Sequence, residues 1–275
     1  MNSKIIIYDD NCPMCSAYTN AFVKTGLIDK EGRKNFSTIT PELLAKIDFK
    51  KSMNEIPVID TASGKVWYGI DALLEILQQK IPIAKKVGNI PLFKCGLTKF
   101  YKLISYNRRV IVASKRKNGN IDCTPDFNIP YRFAFMTIFL LFNTMMLFPL
   151  QQFVLSKSIF DNISIQQLQT AHALLVSLNI FIAIQLNKRD GFEYLGQINM
   201  LALLVILLTI PLIVINKYAG SHFSSFNNFY LGAVTVFTVQ EYFRRIKFIY
   251  FLRMYPTIIL INSISMIALM LYLIF

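Results

Sequence analysis

Residues 4–15 read KIIIYDDNCPMC, and this stretch decides how the N-terminal part of the chain folds. The isoleucine-rich run Lys4–Tyr8 predicts a short buried strand, because it is apolar, β-branched and bounded by polar turn residues. Pro13 is favoured at the first position of a helix, so a helix is expected to begin there. Cys12 and Cys15 are therefore predicted to lie where a strand leads into the start of a helix.

That position suits thiol chemistry. Free backbone N–H groups and the positive end of the helix dipole stabilise a thiolate, and the thiolate is the attacking form of cysteine. Cys12 is the predicted nucleophile, and Cys15, one turn further on, is the predicted resolving thiol that attacks the mixed disulfide. Asp9 is a candidate proton acceptor or turn residue. We expect a protein or a small molecule with a thiol or disulfide to be the substrate.

The pattern that follows is that of a small thioredoxin-like α/β layer, in which strands and helices alternate. The predicted elements are a strand at 34–39, a helix at 41–47, strands at 56–59 and 65–68, and a helix at 70–79. Pro57 opens the third strand, either as a cis residue that faces the cysteines or as a trans residue at a strand start. We take Pro13, Met14 and Pro57 as candidate residues of a substrate groove.

Three segments carry a family resemblance. Residues 8–15 (YDDNCPMC) resemble the Asp-x-x-Cys-x-x-Cys signature of the DCC family, which is described as thiol-disulfide oxidoreductase-like. Residues 68–74 (YGIDALL) are similar to the family's Gly-x-Asp-Ala segment, and residues 101–108 (YKLISYNR) resemble its closing Tyr and Asn-Arg stretch. The resemblance covers about residues 4–112 and implies a thioredoxin-like oxidoreductase domain.

The second half of the chain has the composition of a membrane domain. Residues 132–275 hold only 9 of the 29 Lys and Arg and 4 of the 16 Asp and Glu. A membrane span needs about 20 mostly apolar residues. Five stretches qualify or nearly qualify, at 132–154, 166–187, 196–215, 227–243 and 255–275.

We therefore predict three parts: a thioredoxin-like domain at 1–112, a basic juxtamembrane linker at 113–131, and an all-α transmembrane bundle of about five spans at 132–275. The fourth stretch, 227–243, is the weakest because it has polar residues near its ends. With five spans and a cytoplasmic N-terminal domain, ten Lys and Arg face the cytoplasm and two face the opposite side, as the positive-inside rule requires. We expect an integral protein of a bacterial cytoplasmic membrane with its C-terminus on the far side.

Polar residues within the predicted spans indicate hydrogen bonds between helices, although such residues are also candidates for function. These residues are Asn143, His172, Asn179, Asn199 and Gln240. His172 and His222 are the chain's only histidines. They could form a haem-ligand pair, but one interhelical histidine and one loop histidine is the favoured interpretation.

Residues 80–131 hold 11 basic and 2 acidic side chains, which is most of the chain's excess positive charge. The basic residues lie directly before the first predicted span, so anionic lipid headgroups are a nearer partner than nucleic acid. We expect residues 80–117 to hold the domain against anionic lipid and expect no nucleic-acid binding.

Two alternatives stay open. In the first, Cys12 and Cys15 belong to a structural zinc site with Cys95 and Cys123, although there is no second CxxC. In the second, the domain is a redox sensor or docking module of a membrane assembly. On the favoured interpretation Cys95 is a structural thiol on a helix, Cys123 is a juxtamembrane thiol, and no cofactor or metal is bound.

Overall fold

The structure is a computed structural model that describes residues 3–113, 124–218, 224–249 and 251–274. The chain forms two compact units, Met1–Arg132 and Phe133–Phe275. Each unit is described separately below.

The described part of the first unit is a mixed α/β domain. Its elements are β1 (Lys4–Tyr8), α1 (Pro13–Lys24), β2 (Arg33–Asn35), α2 (Pro41–Leu44), α3 (Phe49–Ser52), β3 (Pro57–Asp60), β4 (Val66–Tyr68), α4 (Gly69–Leu77), α5 (Pro82–Gly88) and α6 (Pro91–Ile111). The strands form one sheet in the order β2-β1-β3-β4, with β2 parallel and β3 antiparallel to β1, and β4 antiparallel to β3. The strand at Lys4–Tyr8 and the helix that begins at Pro13 are confirmed.

Apolar side chains cover both faces of the sheet, which explains the unbroken isoleucine run in β1. Ile6 belongs to a cluster that contains residues of α1 and α4, together with Cys12 and Cys15. Ile7 points to the opposite face, where it packs with Phe36 and Ile59. The cysteines therefore lie on the α1 and α4 side of the sheet.

The strand predicted at 34–39 is wrong in its second half. β2 ends at Asn35, and Phe36–Thr38 forms a 3-10 turn. The side-chain oxygen of Asn35 accepts a hydrogen bond from the Thr38 backbone N–H at 2.8 Å, which gives the chain a local alternative to the sheet.

The second unit is helical. It contains α7 (Ile129–Phe153, whose first residues belong to the first unit), α8 (Ile165–Gln185), α9 (Lys188–Tyr218), α10 (Ser224–Phe248), α11 (Phe251–Met254) and α12 (Pro256–Ile274). Within the described residues, four helical segments are long and apolar enough to cross a membrane: Ile129–Lys157, Ile165–Gln185, Lys188–Tyr218 and Pro256–Leu273. They indicate an integral membrane protein.

The prediction of about five spans holds for four of them. The stretch 227–243 is helical as part of α10, but α10 is not among the candidate spans because Asn227, Asn228, Gln240 and Glu241 lower its hydropathy. α10 is instead bound to α9 by buried polar contacts. Arg245 donates hydrogen bonds to Glu241 at 2.8 Å and to Gln197 of α9 at 2.7 Å.

Hydrogen bonds between helices are confirmed at four of the five polar positions. Asn143 donates to Asn199 at 3.4 Å, and His172 Nε2 lies 3.2 Å from Thr144 Oγ1. Asn179 accepts a hydrogen bond from the Tyr194 hydroxyl.

At the fifth position the prediction is wrong, because Gln240 is exposed and makes no hydrogen bond to another helix in the described part of the chain. His222, the second member of the haem alternative, lies outside the described residues.

Candidate active site

The two cysteines lie at the start of α1, as predicted. Cys12 is the N-terminal cap of the helix, with extended backbone angles, and Pro13 is the first helical residue. The Cys12 sulfur accepts a hydrogen bond from the Cys15 backbone N–H at 3.4 Å. In most helices a side-chain oxygen of the capping residue accepts this hydrogen bond, and here the Cys12 sulfur takes its place. The helix dipole favours the thiolate form of a cysteine at this position.

Both thiols are buried and reduced. Cys12 is 7% exposed and Cys15 is 4% exposed, and both belong to the cluster that α1 forms against the sheet. Cys12 is the slightly more exposed of the two, although its place at the start of a helix does not bring it to the surface. α1 packs against β1, and both cysteines lie in one apolar cluster with Ile6 and Val58 of the sheet, which buries the cap residue as well.

The two cysteines differ in acidity. The Cys12 pKa is lowered from 9.0 to about 7, chiefly by a hydrogen bond from the Cys15 thiol and also by the Arg108 charge, against the opposing effect of burial. The same hydrogen bond, together with burial, raises the Cys15 pKa well above its ordinary value. Near neutral pH, Cys12 is therefore ionised in about half of the molecules, while Cys15 holds its proton.

Asp9 is a buried carboxylate beside the cysteine turn. Its side chain is 11% exposed and accepts a hydrogen bond from the Asn11 N–H at 3.0 Å, while its carbonyl accepts one from the Cys12 N–H at 3.2 Å. These bonds make Asp9 a turn residue. Burial raises the pKa of its carboxyl, and the Arg108 charge partly offsets that rise.

Arg108 of α6 is the site residue that sequence reasoning missed. Its side chain is 7% exposed, lies 3.3 Å from the Asp9 carboxylate and donates to the Met53 carbonyl at 3.1 Å. Its charge acts on both thiols. Arg108 falls within residues 80–117, for which the sequence predicts lipid contact, and the signal that points to its role in the site is its place in the closing family segment.

Tyr101, also on α6, contacts the residue before β3, the cysteine cluster and the start of α4. Its hydroxyl accepts a hydrogen bond from the Ile56 backbone N–H at 2.9 Å, and its ring packs against the cysteine cluster. Gly69, with φ of +58°, starts α4 beside it, and an added Cβ would lie 3.3 Å from the Tyr101 ring and 3.1 Å from Glu55. The three segments that carry the family resemblance therefore meet around the thiols.

Arg33 fixes the helix that carries the cysteines. Its guanidinium lies 3.9 Å from the centre of the Tyr8 ring on β1. It donates hydrogen bonds to Thr19 at 3.0 Å and to the Ser16 carbonyl at 3.1 Å on α1, and Thr19 in turn donates to the Cys15 carbonyl at 2.8 Å. The orientation of α1 on the sheet is thus set by polar contacts as well as by apolar packing.

Comparison with protein families shows which family this domain belongs to. Residues 6–113 match the family model described as "DCC1-like thiol-disulfide oxidoreductase". This part of the chain is a DCC1-like domain. No curated protein and no solved structure matches the chain.

The predicted groove residues of the DCC1-like domain occupy different environments. Pro13 is exposed, and Met14 is half-buried against the cysteine cluster. Pro57 is buried at the first position of β3 opposite Tyr68 of β4. The Ile56–Pro57 peptide bond is trans, so the cis alternative is wrong. The assignment of these three residues to a substrate groove stays a prediction.

The zinc alternative requires ligands beyond the CxxC of the DCC1-like domain. Across the described residues, no group of three or more His, Cys, Asp or Glu side chains is arranged to hold a metal ion. Cys95 is exposed on α6, and Cys123 lies outside the described residues. Metal analysis of the purified chain tests this alternative directly.

Proposed function

We propose that the chain is a membrane-anchored dithiol oxidoreductase whose DCC1-like domain exchanges disulfides through Cys12 and Cys15. The unequal acidity of the two thiols carries this proposal, since it makes a substantial fraction of Cys12 ionised near neutral pH and leaves Cys15 protonated. Support also comes from the fold. A β2-β1-β3-β4 sheet with one parallel pair and a CxxC at the start of the first helix agrees with a thioredoxin-like domain.

In the proposed reaction, the Cys12 thiolate attacks one sulfur of a substrate disulfide, and the first substrate sulfur leaves as a thiolate that takes up a proton. Cys15 then loses its proton and attacks the Cys12 sulfur. The second substrate thiol is released and a Cys12–Cys15 disulfide remains. The substrate gains two electrons, and a thiol or dithiol reductant must return the pair to its reduced form. With the opposite supply of electrons the same steps oxidise a dithiol substrate.

We assign Asp9 to the second half of this reaction. The Cys15 pKa is raised well above its ordinary value, so resolution requires a group that removes the Cys15 proton. Asp9 is the buried carboxylate beside the thiols, and its own pKa is raised by burial, which makes it a better proton acceptor than a solvent-exposed carboxylate. Arg108 balances its charge when it is ionised.

The test is a single turnover of the reduced full-length chain with oxidised glutathione. The proposal predicts two glutathione thiols released per chain and an intramolecular disulfide between Cys12 and Cys15, both lost in Cys12→Ser. Cys95→Ser is the matched control, because Cys95 is an exposed thiol of the same domain outside the CxxC, and the Cys12–Cys15 disulfide should form in this variant to the same yield. Equal turnover in Cys12→Ser would contradict the proposal.

A redox-sensor role is the second candidate, and the burial of both thiols favours it, because buried sulfur restricts which disulfides can approach. Exchange rates with several unrelated disulfides separate the two functions. An enzyme of broad specificity reacts with all of them at comparable rates, whereas a sensor reacts with one partner and slowly with the others.

A further inference from the structure

The large exposed apolar side chains that the structure describes in the first unit are confined to one stretch. Within the described residues of that unit, every large hydrophobic side chain that is exposed lies between residues 81 and 100. These residues, which we call the α5–α6 apolar surface, are Ile81, Ile83, Val87, Ile90, Leu92, Phe93 and Phe100. Single exposed apolar residues are usual on a soluble domain, but a concentration of this kind indicates an interaction site.

α5 and α6 pack on the domain in a way that leaves the α5–α6 apolar surface exposed. α5 rests on α4 through Gly88, where an added Cβ would lie 2.6 Å from the Leu74 side chain. α6 turns its other side to the domain, with Tyr101 in the cysteine cluster and Ser105 donating to the Asn54 carbonyl. The apolar side chains between these anchors are left in solvent, with Leu92 83% and Phe93 56% exposed.

Positive charge accompanies the apolar surface. Residues 80–113 contain no Asp or Glu. Four basic residues of this stretch pair with carboxylates that lie outside it: Lys85 with Glu75, Lys94 with Asp71, Lys102 with Glu55 and Arg108 with Asp9. Lys86 and Lys99 are exposed, and neither lysine forms an ion pair with another residue that the structure describes.

We propose that the α5–α6 apolar surface inserts into the interfacial layer of an anionic lipid bilayer, with Lys86 and Lys99 at the headgroups. Exposed aromatic and aliphatic side chains next to lysine are the composition of helices that lie in a membrane interface. Only 17 residues separate the end of α6 at Ile111 from the first candidate span, which begins at Ile129, so a bilayer is within reach. This proposal is independent of the proposed enzymatic function.

The chain offers a natural reporter, because Cys95 is exposed on α6 one turn after Leu92. In a Cys12→Ser, Cys15→Ser and Cys123→Ser background, Cys95 alone takes a fluorescent label. The labelled full-length chain is placed at one copy per nanodisc made of phosphatidylcholine and phosphatidylglycerol. Quenching by a lipid with a nitroxide near its headgroup is compared with quenching by aqueous iodide.

The proposal predicts strong nitroxide quenching and weak iodide quenching at Cys95. A label at Lys50→Cys in the same background with Cys95→Ser is the control, because Lys50 is exposed on α3 and should show the reverse. Quenching of Cys95 by iodide alone would show a surface that stays in water, and quenching by neither agent would show that protein covers it. Either result overturns the proposal.

Two variants separate the apolar and electrostatic contributions. Phe93→Ser with Phe100→Ser should lower nitroxide quenching at Cys95 by about twofold or more, because both side chains are exposed and supply apolar area to the interface. Lys86→Gln with Lys99→Gln should lower it in anionic discs and leave it unchanged in discs of phosphatidylcholine alone. Unchanged circular dichroism shows that the variants fold, and undiminished quenching in both would refute the insertion.

Discussion

The acidity of Cys12 depends chiefly on its neighbour Cys15, and Cys15→Ala tests this dependence. A pKa lowered from 9.0 to about 7 corresponds to about 2.7 kcal/mol in favour of the thiolate. The Cys15 thiol hydrogen bond is the largest cause of this lowering, and the backbone N–H of residue 15 survives the substitution. We therefore predict that the Cys12 pKa rises most of the way back toward 9.0 in Cys15→Ala.

Cys15→Ala should change the alkylation rate of Cys12 less than it changes the fraction of Cys12 that is ionised. At pH 7 the thiolate fraction would fall from about one half to about one hundredth for a full return to 9.0. The more basic thiolate is also the better nucleophile, by about tenfold over this range, so the alkylation rate at pH 7 should fall about fivefold. The inflection of the rate against pH is the clearer readout because nucleophilicity does not move it.

The assay is iodoacetamide alkylation of the full-length chain from pH 5 to pH 10, with peptide mapping of Cys12. Since the Cys12 pKa is lowered, the wild-type rate should rise through about pH 7 and level off above it. Cys15→Ser is the matched control, because its hydroxyl can still donate to the Cys12 sulfur, and its inflection should lie below that of Cys15→Ala. An inflection that stays near pH 7 in Cys15→Ala would refute the assigned cause.

Three further predictions concern the groups around the thiols. Arg108→Met should raise the Cys12 pKa by less than Cys15→Ala does, because its charge ranks below the Cys15 hydrogen bond; the alkylation profile checks this, and an unchanged profile would contradict it. Asp9→Asn should slow release of the Cys12 mixed disulfide while leaving its formation intact, which rapid-quench mass spectrometry can separate; equal slowing of both steps would contradict a role confined to resolution. Gly69→Ala should destabilise the DCC1-like domain by about 1–3 kcal/mol because of its positive φ. Fluorescence of the chain's single tryptophan, in the strand just before Gly69, reports unfolding of the domain. The same unfolding midpoint in Gly69→Ala and in the wild-type chain would contradict the predicted destabilisation.

Local signals account for the parts of the domain that sequence predicted well. The isoleucine run fixed β1, and Pro13 fixed the start of α1, because both act through neighbouring residues. The same locality explains the error at β2, where the Asn35 side chain caps a 3-10 turn and competes with strand pairing. The strand propensities of these residues alone do not decide between a longer β2 and the 3-10 turn.

Long-range contacts account for what sequence reasoning missed. Arg108 reaches Asp9 across 99 positions of the chain, and only the fold of α6 against the cysteine cluster brings them together. The burial of Cys12 has the same origin, because it depends on how α1 packs against the sheet. Likewise, the polar residues of α10 lower its hydropathy in sequence, while the structure pairs Arg245 with Glu241 and Gln197.

The most direct test of dithiol exchange is a mixed-disulfide trap in full-length Cys15→Ser treated with oxidised glutathione. Without the resolving thiol, the glutathione adduct should persist on the tryptic peptide of residues 5–24, which contains Cys12. Cys95 falls in a separate peptide and serves as the internal reference for an exposed thiol. We predict that Cys12 is modified first and that the wild-type chain converts the adduct to the Cys12–Cys15 disulfide. Modification of Cys95 with no adduct on residues 5–24 would contradict the assignment of Cys12 as the nucleophile.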